Sequence, residues 1–248
     1  MKLGIIGGSS IWKTEFMHGW EPLPHPVAPV VNSYGYLDTQ VWRKTYNSVE
    51  TFYVNRHGRN HESLAHEVNY RGILWRMHML GVDAVLALNT VGGVSNALDP
   101  GDIVAPTNLI DYTFGRESTF GGQYSKHIDF TYPFNVEIVR RLKNIKPVRP
   151  FDDMVYGCTN GPRFETAAEV RRMHRDGVGV VGMTGMPEAY LARELGIEYN
   201  MLSLVVNAAA GLVPGTVDPE AFEQKSITEY FPRFVEVVNE AIENVWIR

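Results

Sequence analysis

Short apolar runs rich in Val, Ile and Leu recur along the chain: "LGIIGG", "DAVLALNTVGG", "GDIVAP", "DMVYGCT", "GVVGMT" and "MLSLVVN". Few of them alternate apolar with polar positions, a pattern that suits strands buried on both faces. Helical spacing lies between several of these runs. "HESLAHEVNYRGILWRMHML" places Leu64, Val68, Gly72, Trp75 and Met79 along one stripe. "TAAEVRRMHRDG" closes on Gly177, a good C-terminal cap, and "MPEAYLARELG" opens with Pro187 near its first turn and closes on Gly196. Residues 219 to 245 read as a long terminal helical region broken at Pro232. Strands that alternate with helices predict an α/β chain with a mainly parallel sheet covered on both faces. No repeat, low-complexity segment or Ser/Gly linker divides the chain, so one domain is expected.

Composition narrows the partners more than the fold. The 248 residues are 44% hydrophobic and 21% charged, an ordinary soluble balance with enough material for a substantial core. A net charge of −5 argues against a general nucleic-acid or membrane surface, so any anion site must be built locally. The one cysteine, Cys158, rules out an intrachain disulfide and suits a reducing compartment. It follows an apolar run and reads as a small core residue rather than a nucleophile. "MKLGIIGGSS" runs straight into a strand and a glycine turn, with no signal peptide, and no apolar stretch approaches the roughly 18 residues of a membrane span. A cytoplasmic protein is expected.

In parallel sheets ligands collect at the carboxyl ends of strands. Several runs end there in small or polar residues: Gly7-Gly8-Ser9, Asn89-Thr90-Val91-Gly92-Gly93, Met183-Thr184 and Asn207. "IIGGSS" is either an anion-binding turn, with glycine backbone amides and a serine hydroxyl as donors, or an ordinary tight turn. "NRHGRNH" gathers Arg56, His57, Arg59 and His61, an arginine fork and imidazole donors suited to phosphate, or else a solvated basic loop. A metal site is less attractive there, because no carboxylate or cysteine completes the set and the arginines would repel a cation. Thr184 precedes a helix and is a cap or an oxyanion donor. Asn207 ends a strand and is either structural or able to read the edge of a heterocycle. Glu165, in "GCTNGPRFETAAEV", compensates a helix dipole or, with Phe164, faces a flat hydrogen-bonding ligand. No G-x-S-x-G elbow, H-E-x-x-H, paired C-x-x-C or dinucleotide fingerprint occurs.

Together these stretches resemble the trimeric purine nucleoside phosphorylase family, in its methylthioadenosine/methylthioinosine phosphorylase branch. The matching segments include "GIIGGSS", "RHGRNH", "EVNYRGILW", "GVDAVLALNTVGGV", "PGDIVAPTNLIDYTFGRESTF", "GPRFETAAEVR", "VVGMTGMPEAYLARELGI" and "LVVNAAAG", in the family's order from residue 4 to about 211. Two places depart from it: GGSS stands where many members have GGTG, and "VVNSYGYLDTQVW" matches the family's Thr-Pro-Tyr-Gly region only weakly. The resemblance implies a mixed, mainly parallel, distorted barrel-like sheet flanked by helices, and a homotrimer. It implies phosphorolysis: inorganic phosphate, a co-substrate, attacks the anomeric carbon of a purine nucleoside, with no metal or organic cofactor. By matching position, Ser9, Arg56, His57 and Thr184 would hold phosphate, helped by backbone donors around Asn89 and Thr90. Met183 would lie under the ribose, Phe164 on the purine face, and His127 of "SKHIDF" would reach the 5′ end of the nucleoside in a neighbouring subunit. The catalytic set implied is Asn207, Glu165 and His57.

The same resemblance bears on the base. Family members acting on 6-aminopurines carry aspartates at the positions held here by Asn207 and Ala209, whereas 6-oxopurine enzymes carry asparagine and a glutamate matching Glu165. A carboxylate accepts from N1–H, which hypoxanthine and guanine have and adenine lacks, and Asn207 can donate to O6 or N7. A 6-oxopurine is therefore the expected base; at the 5′ group "GLVPGTVDPEAF" offers Val217 and Phe222 but also polar neighbours, and methylthioinosine is the expected substrate, with inosine or guanosine next in order. The alternatives are a methylthioadenosine phosphorylase and a non-catalytic nucleoside-binding protein. The second would be expected to lack the phosphate donors, all of which are present here.

Overall fold

The computed structural model describes residues 1–24, 30–32, 34–37, 40–58, 61–124, 127–215 and 219–246, with backbone alone at 30–32, 35–37, 123 and 219–223. The strands are β1 (Lys2–Gly7), β2 (Glu21–Pro22), β3 (Val30–Asn32), β4 (Gly35–Leu37), β5 (Val41–Tyr46), β6 (Val49–Asn55), β7 (Ala84–Gly93), β8 (Ile103–Val104), β9 (Asn108–Asp111), β10 (Val155–Cys158), β11 (Val178–Gly182) and β12 (Glu198–Ala208). The helices are α1 (Ser9–Trp12), α2 (Tyr70–Met79), α3 (Val136–Lys143), α4 (Ala167–Arg175), α5 (Gly185–Glu194), α6 (Pro219–Glu229) and α7 (Phe231–Asn244).

Ten strands form one sheet in the order β2-β5-β6-β1-β7-β11-β10-β9, with β12 along β7 and β8 on β12; β3 and β4 pair separately. The central pairings, β6·β1, β1·β7, β7·β12 and the β9·β10·β11 run, are parallel. Strand β7 is the branch point. Its first residues pair with β1, from Leu3↔Ala84 to Ile6↔Ala87, and its last, Gly92 and Gly93, pair antiparallel with β11. That exchange of neighbours is the distortion of the sheet, and it brings the carboxyl ends of β1, β6, β7, β11 and β12 around one space.

Consecutive residues of the central strands are fully buried: Leu3, Ile5 and Ile6 in β1, Val85, Leu86 and Ala87 in β7, and Met201 and Leu202 in β12. Side chains alternate between faces, so both faces are covered, which is why these runs do not alternate apolar with polar. Full burial stabilises each Leu, Ile or Val by about 1.5–3 kcal/mol relative to exposure. In the hairpin β5–β6 the outer strand β5 is partly exposed, at Arg43 and Thr45, whereas β6 is buried from Thr51 to Asn55. The turn residues Asn47 and Ser48 both have positive φ, 45° and 71°, the two-residue geometry that matches strand twist.

Two helices, α1 and α3, were not expected, and one expected helical stretch is corrected. The stripe from Leu64 to Met79 is not one helix face. Asn69 caps α2 by accepting the Gly72 amide at 2.8 Å, and the residues before it form turns. The buried side chains are Tyr70, Ile73, Leu74 and Met77, while Leu64 and Met79 are exposed. An asparagine that intercepts an amide of the first turn ends the helical register on its upstream side. Elsewhere the expected ends hold: Gly177 and Gly196 each follow a helix with positive φ, and the terminal region breaks at Tyr230, with Pro232 in the first turn of α7.

Candidate active site

A cavity of about 370 Å³ opens at the strand ends. Ser9, Arg56, His57, Asn89, Thr90, Phe164, Glu165, Met183, Thr184, Asn207 and Ala209 all line it. His127 does not; it is exposed elsewhere on the surface. Arg59 and Val217 lie outside the described residues, as does the side chain of Phe222. Ile11, Leu64, Phe231 and Phe234 add an apolar wall.

The convergence follows from register. Gly7 pairs with Asn55, so Gly8-Ser9 and Arg56-His57 leave the sheet side by side, and the Arg56 amide donates to the Gly7 carbonyl at 2.9 Å. Gly7 admits no side chain, since a Cβ there would meet the Tyr53 ring at 2.7 Å. On β12 the register against β7 shifts between Val205 and Asn207. This bulge breaks the alternation, so neighbouring Val206 and Asn207 both face the cavity.

At the end of the cavity beside β1 and β6 Arg56 is buried and its fork is already occupied. Nε donates to Glu188 Oε1 at 2.7 Å and Nη2 to Glu188 Oε2 at 3.2 Å. Nη1 donates to the Leu88 carbonyl, and Nη2 also reaches the Ile6 carbonyl and Asn89 Oδ1. The Tyr199 hydroxyl donates to Glu188 Oε2 at 2.9 Å and fixes the carboxylate from behind. Of the five guanidinium N–H groups, one on Nη1 remains for a ligand. The expectation of bidentate anion recognition by Arg56 is corrected: the bidentate partner is Glu188, and Arg56 can offer an anion one hydrogen bond plus its field. Asn89 likewise commits its side-chain oxygen to Arg56.

His57 is buried, and loss of hydration together with the adjacent Arg56 guanidinium pushes its imidazolium down to about 3. At neutral pH it is therefore uncharged. Nδ1 lies 2.9 Å from the Ser63 carbonyl, which can only accept, so Nδ1 carries the proton and Nε2 is an acceptor. With Nδ1 committed to Ser63, His57 presents an acceptor to the cavity rather than the donor that its sequence neighbourhood implies. The His61 ring stacks on it with centroids 4.5 Å apart, and His61 Nδ1 lies 2.8 Å from Ser9 Oγ. Thr184 precedes α5 without making a cap hydrogen bond, which sets the capping alternative aside. The amides of Thr184 and Gly185 instead reach the Tyr156 hydroxyl.

At the other end the place of Glu165 is explained by its neighbours. Helix α4 is capped by Thr166, whose hydroxyl accepts the Glu169 amide while Glu169 accepts the Thr166 amide at 2.7 Å. Glu169 thus meets the needs of the helix terminus, and Glu165, one residue before the cap, is left to the cavity. Its Oε1 takes the Thr159 hydroxyl at 2.6 Å. Asn207 gives one amide hydrogen to the Ala208 carbonyl at 2.8 Å and keeps the other N–H. Phe164 stays 41% exposed at the mouth. Gly161 has a φ of +64°, and a Cβ there would meet Met183 Sδ at 2.7 Å, so glycine lets the loop lie on the methionine.

Sequence reasoning missed Glu188, Tyr199 and Thr159. The one local signal was Glu188 itself, a charge between Pro187 and the apolar face of α5. Cys158 is buried and its thiol is pushed up to about 12, chiefly by burial, as suits a core residue. Among the described residues no group of three His, Cys, Asp or Glu side chains is placed to hold a metal ion, and no helix is long and apolar enough to cross a membrane.

Fold and site define an α/β protein whose ligand cavity sits at parallel strand ends, with a compensated cation at one end and an aromatic ring beside a carboxylate at the other. The chain belongs to the phosphorylase superfamily, whose family model matches residues 2–243. It is 40% identical over 226 residues, 89% of this chain and 90% of the relative, to a probable S-methyl-5′-thioinosine phosphorylase of Pseudomonas syringae pv. tomato. It is 38% identical to another of that description from Methanopyrus kandleri, covering 98% of this chain and 93% of the relative. Among solved structures it is similar to methylthioadenosine phosphorylase from Schistosoma mansoni in complex with adenine, with a TM-score of 0.82 and 26% identity over 98% of this chain and 91% of that one.

Proposed function

We propose that this chain catalyses phosphorolysis of 6-oxopurine nucleosides, with S-methyl-5′-thioinosine the preferred substrate and hypoxanthine and 5-methylthioribose 1-phosphate the products. The observation that carries this reading is Glu165. It lines the cavity with Oε1 held by Thr159, which leaves Oε2 to accept from the N1–H of a 6-oxopurine. Asn207 donates its remaining N–H to O6 or N7 as the C1′–N9 electron pair passes to the leaving base. Phosphate attacks C1′ from the opposite end, near Ser9, Thr184, the Asn89–Thr90 backbone and the single open N–H of Arg56. His57 Nε2 accepts the hydrogen of a protonated phosphate oxygen and orients it. Placement and charge stabilisation supply the catalysis, because the sugar passes through a cationic transition state between two anions. The apolar wall of Ile11, Phe231 and Phe234 favours a methylthio group over a hydroxyl.

The reading needs phosphate as co-substrate and no organic cofactor or metal. We take the chain as one domain, since one sheet carries both ends of the cavity, and infer a cytoplasmic setting from its lone buried thiol. We also infer a homotrimer in which His127, exposed away from its own cavity, serves a neighbour; a fully active monomer in sedimentation would defeat this. A second reading, methylthioadenosine phosphorylase, is favoured by the similarity to the Schistosoma mansoni structure. One assay separates the two: kcat/KM for methylthioinosine and methylthioadenosine in wild type, Asn207→Asp and Asn207→Asp/Glu165→Ser. Wild type should prefer methylthioinosine. A mispaired charged hydrogen bond is worth about 1.5–3 kcal/mol, so the double variant should shift the ratio about 10- to 150-fold towards the 6-amino substrate. An unchanged ratio in the folded double variant would remove Glu165 and Asn207 as readers of the base.

A further inference from the structure

We propose that Arg116, which does not line the cavity, is a positioning residue that sets the geometry of its purine half; the inference rests on the functional reading above. All of its N–H groups are engaged. Nε donates to Asn160 Oδ1 at 3.2 Å. Nη1 donates to the Tyr70 hydroxyl at 3.3 Å and to the Met186 carbonyl. Nη2 donates to the carbonyls of Thr159 at 3.3 Å, Asn160 at 2.9 Å and Met183 at 2.9 Å. The guanidinium also lies over the Tyr70 ring, 5.4 Å from its centroid.

These acceptors belong to three separate segments: the loop from β10 to α4, the turn from β11 into α5, and the start of α2. The first carries Glu165 and the second Met183, and both side chains line the cavity. Thr159 links the cation to the base reader, because its carbonyl is held by Arg116 while its hydroxyl holds Glu165 at 2.6 Å. Arg116 thus sets the separation between the carboxylate that meets the purine edge and the methionine under the sugar. It bonds to none of Ser9, Arg56, His57 and Thr184, so the anion end keeps its own supports. A planar fork is required for this arrangement. Lysine, with three donors at one point on a flexible stem, cannot span acceptors on three segments.

The test varies methylthioinosine and phosphate separately for wild type, Arg116→Lys and Arg116→Ala. A misplacement of about 1 Å costs on the order of 100-fold, so the nucleoside KM should rise about 10- to 100-fold in both variants while the phosphate KM stays within about twofold. Ethylguanidinium added to Arg116→Ala should lower the nucleoside KM back towards wild type, which a general loss of packing would not allow. Equal rises in both KM values, or an unchanged nucleoside KM in a folded variant, would overturn the proposal. Should both variants fail to fold, Thr159→Val cuts the same chain at its last link: a raised nucleoside KM at constant phosphate KM supports the proposal, and no change overturns it. Wild-type turnover in the same assay tests the functional reading itself, and an inactive wild type would remove both.

Discussion

Arg56, at one end of the cavity, is 3% exposed and bonded to a carboxylate, an amide oxygen and two backbone carbonyls, whereas Phe164, at the other, is 41% exposed. The contrast extends to their neighbours. Ser9, His57, Asn89 and Thr184 are buried at the ends of paired strands, while Glu165 and Met183 are half-buried on loops. The difference has a physical cause. A buried cation is tolerated only with its partners in place, and it acts on an anion without reorganising only if it is already fixed. A ring at the mouth loses little by staying exposed, and in the proposed function it must give way for the base to enter. The Arg56 end is therefore fixed by its buried partners, and the end that we propose meets the base is held from behind through Thr159 and Arg116.

The strongest way to break this contrast is to remove the cation. Arg56→Ala leaves Glu188, fully buried, with no counter-charge, and should cost about 3–5 kcal/mol of stability in denaturant unfolding as well as abolishing turnover. Replacing the pair together, Arg56→Met with Glu188→Leu, should restore most of the stability and none of the activity. A stable Arg56→Ala protein would show that this end of the cavity does not depend on the pair.

His57 gives a smaller, pH-dependent effect. Its pKa falls from 6.5 to about 3 on folding, so the fold favours the neutral ring. The stabilisation is fully present above about pH 6.5 and is lost as pH drops from there towards 3, by up to about 1.4 kcal/mol per unit. Between pH 7 and 5 wild type should lose about 2 kcal/mol more unfolding free energy than His57→Gln. Parallel losses in the two proteins would mean that His57 is not held neutral.

The smallest effect sharpens the base end. Thr166→Ala removes the cap of α4 and should cost about 1 kcal/mol, read as a lowered Tm. The ratio of methylthioinosine to methylthioadenosine turnover should not move, because Glu165 is held by Thr159 rather than by the cap. A changed ratio would tie base choice to the helix terminus instead.

Much of this was legible in the residues. The apolar runs of β1, β7 and β12 announced strands covered on both faces, and the polar residues at the ends of β1, β6, β11 and β12 pointed to Ser9, Arg56, Thr184 and Asn207. The stripe through Leu64 and Met79 was misread because apolar spacing continues across Asn69, and spacing alone does not reveal which asparagine takes the amide of the first turn. His57 was misread as a donor because its protonation depends on how deeply it is buried and on the guanidinium beside it.

By itself, then, the sequence determined the central strands and the helical stretches between them, where α4 and α5 stop, and which residues sit at strand ends, since these depend on near neighbours and on side-chain periodicity. Tertiary structure decided what those residues are free to do. Glu188 lies 132 residues from Arg56 and claims its fork; Ser63 settles the tautomer of His57; Thr159 orients Glu165; Arg116 joins three segments that no local pattern connects. Desolvation and long-range hydrogen bonds are properties of enclosed space, and a chain encloses space only once it has folded.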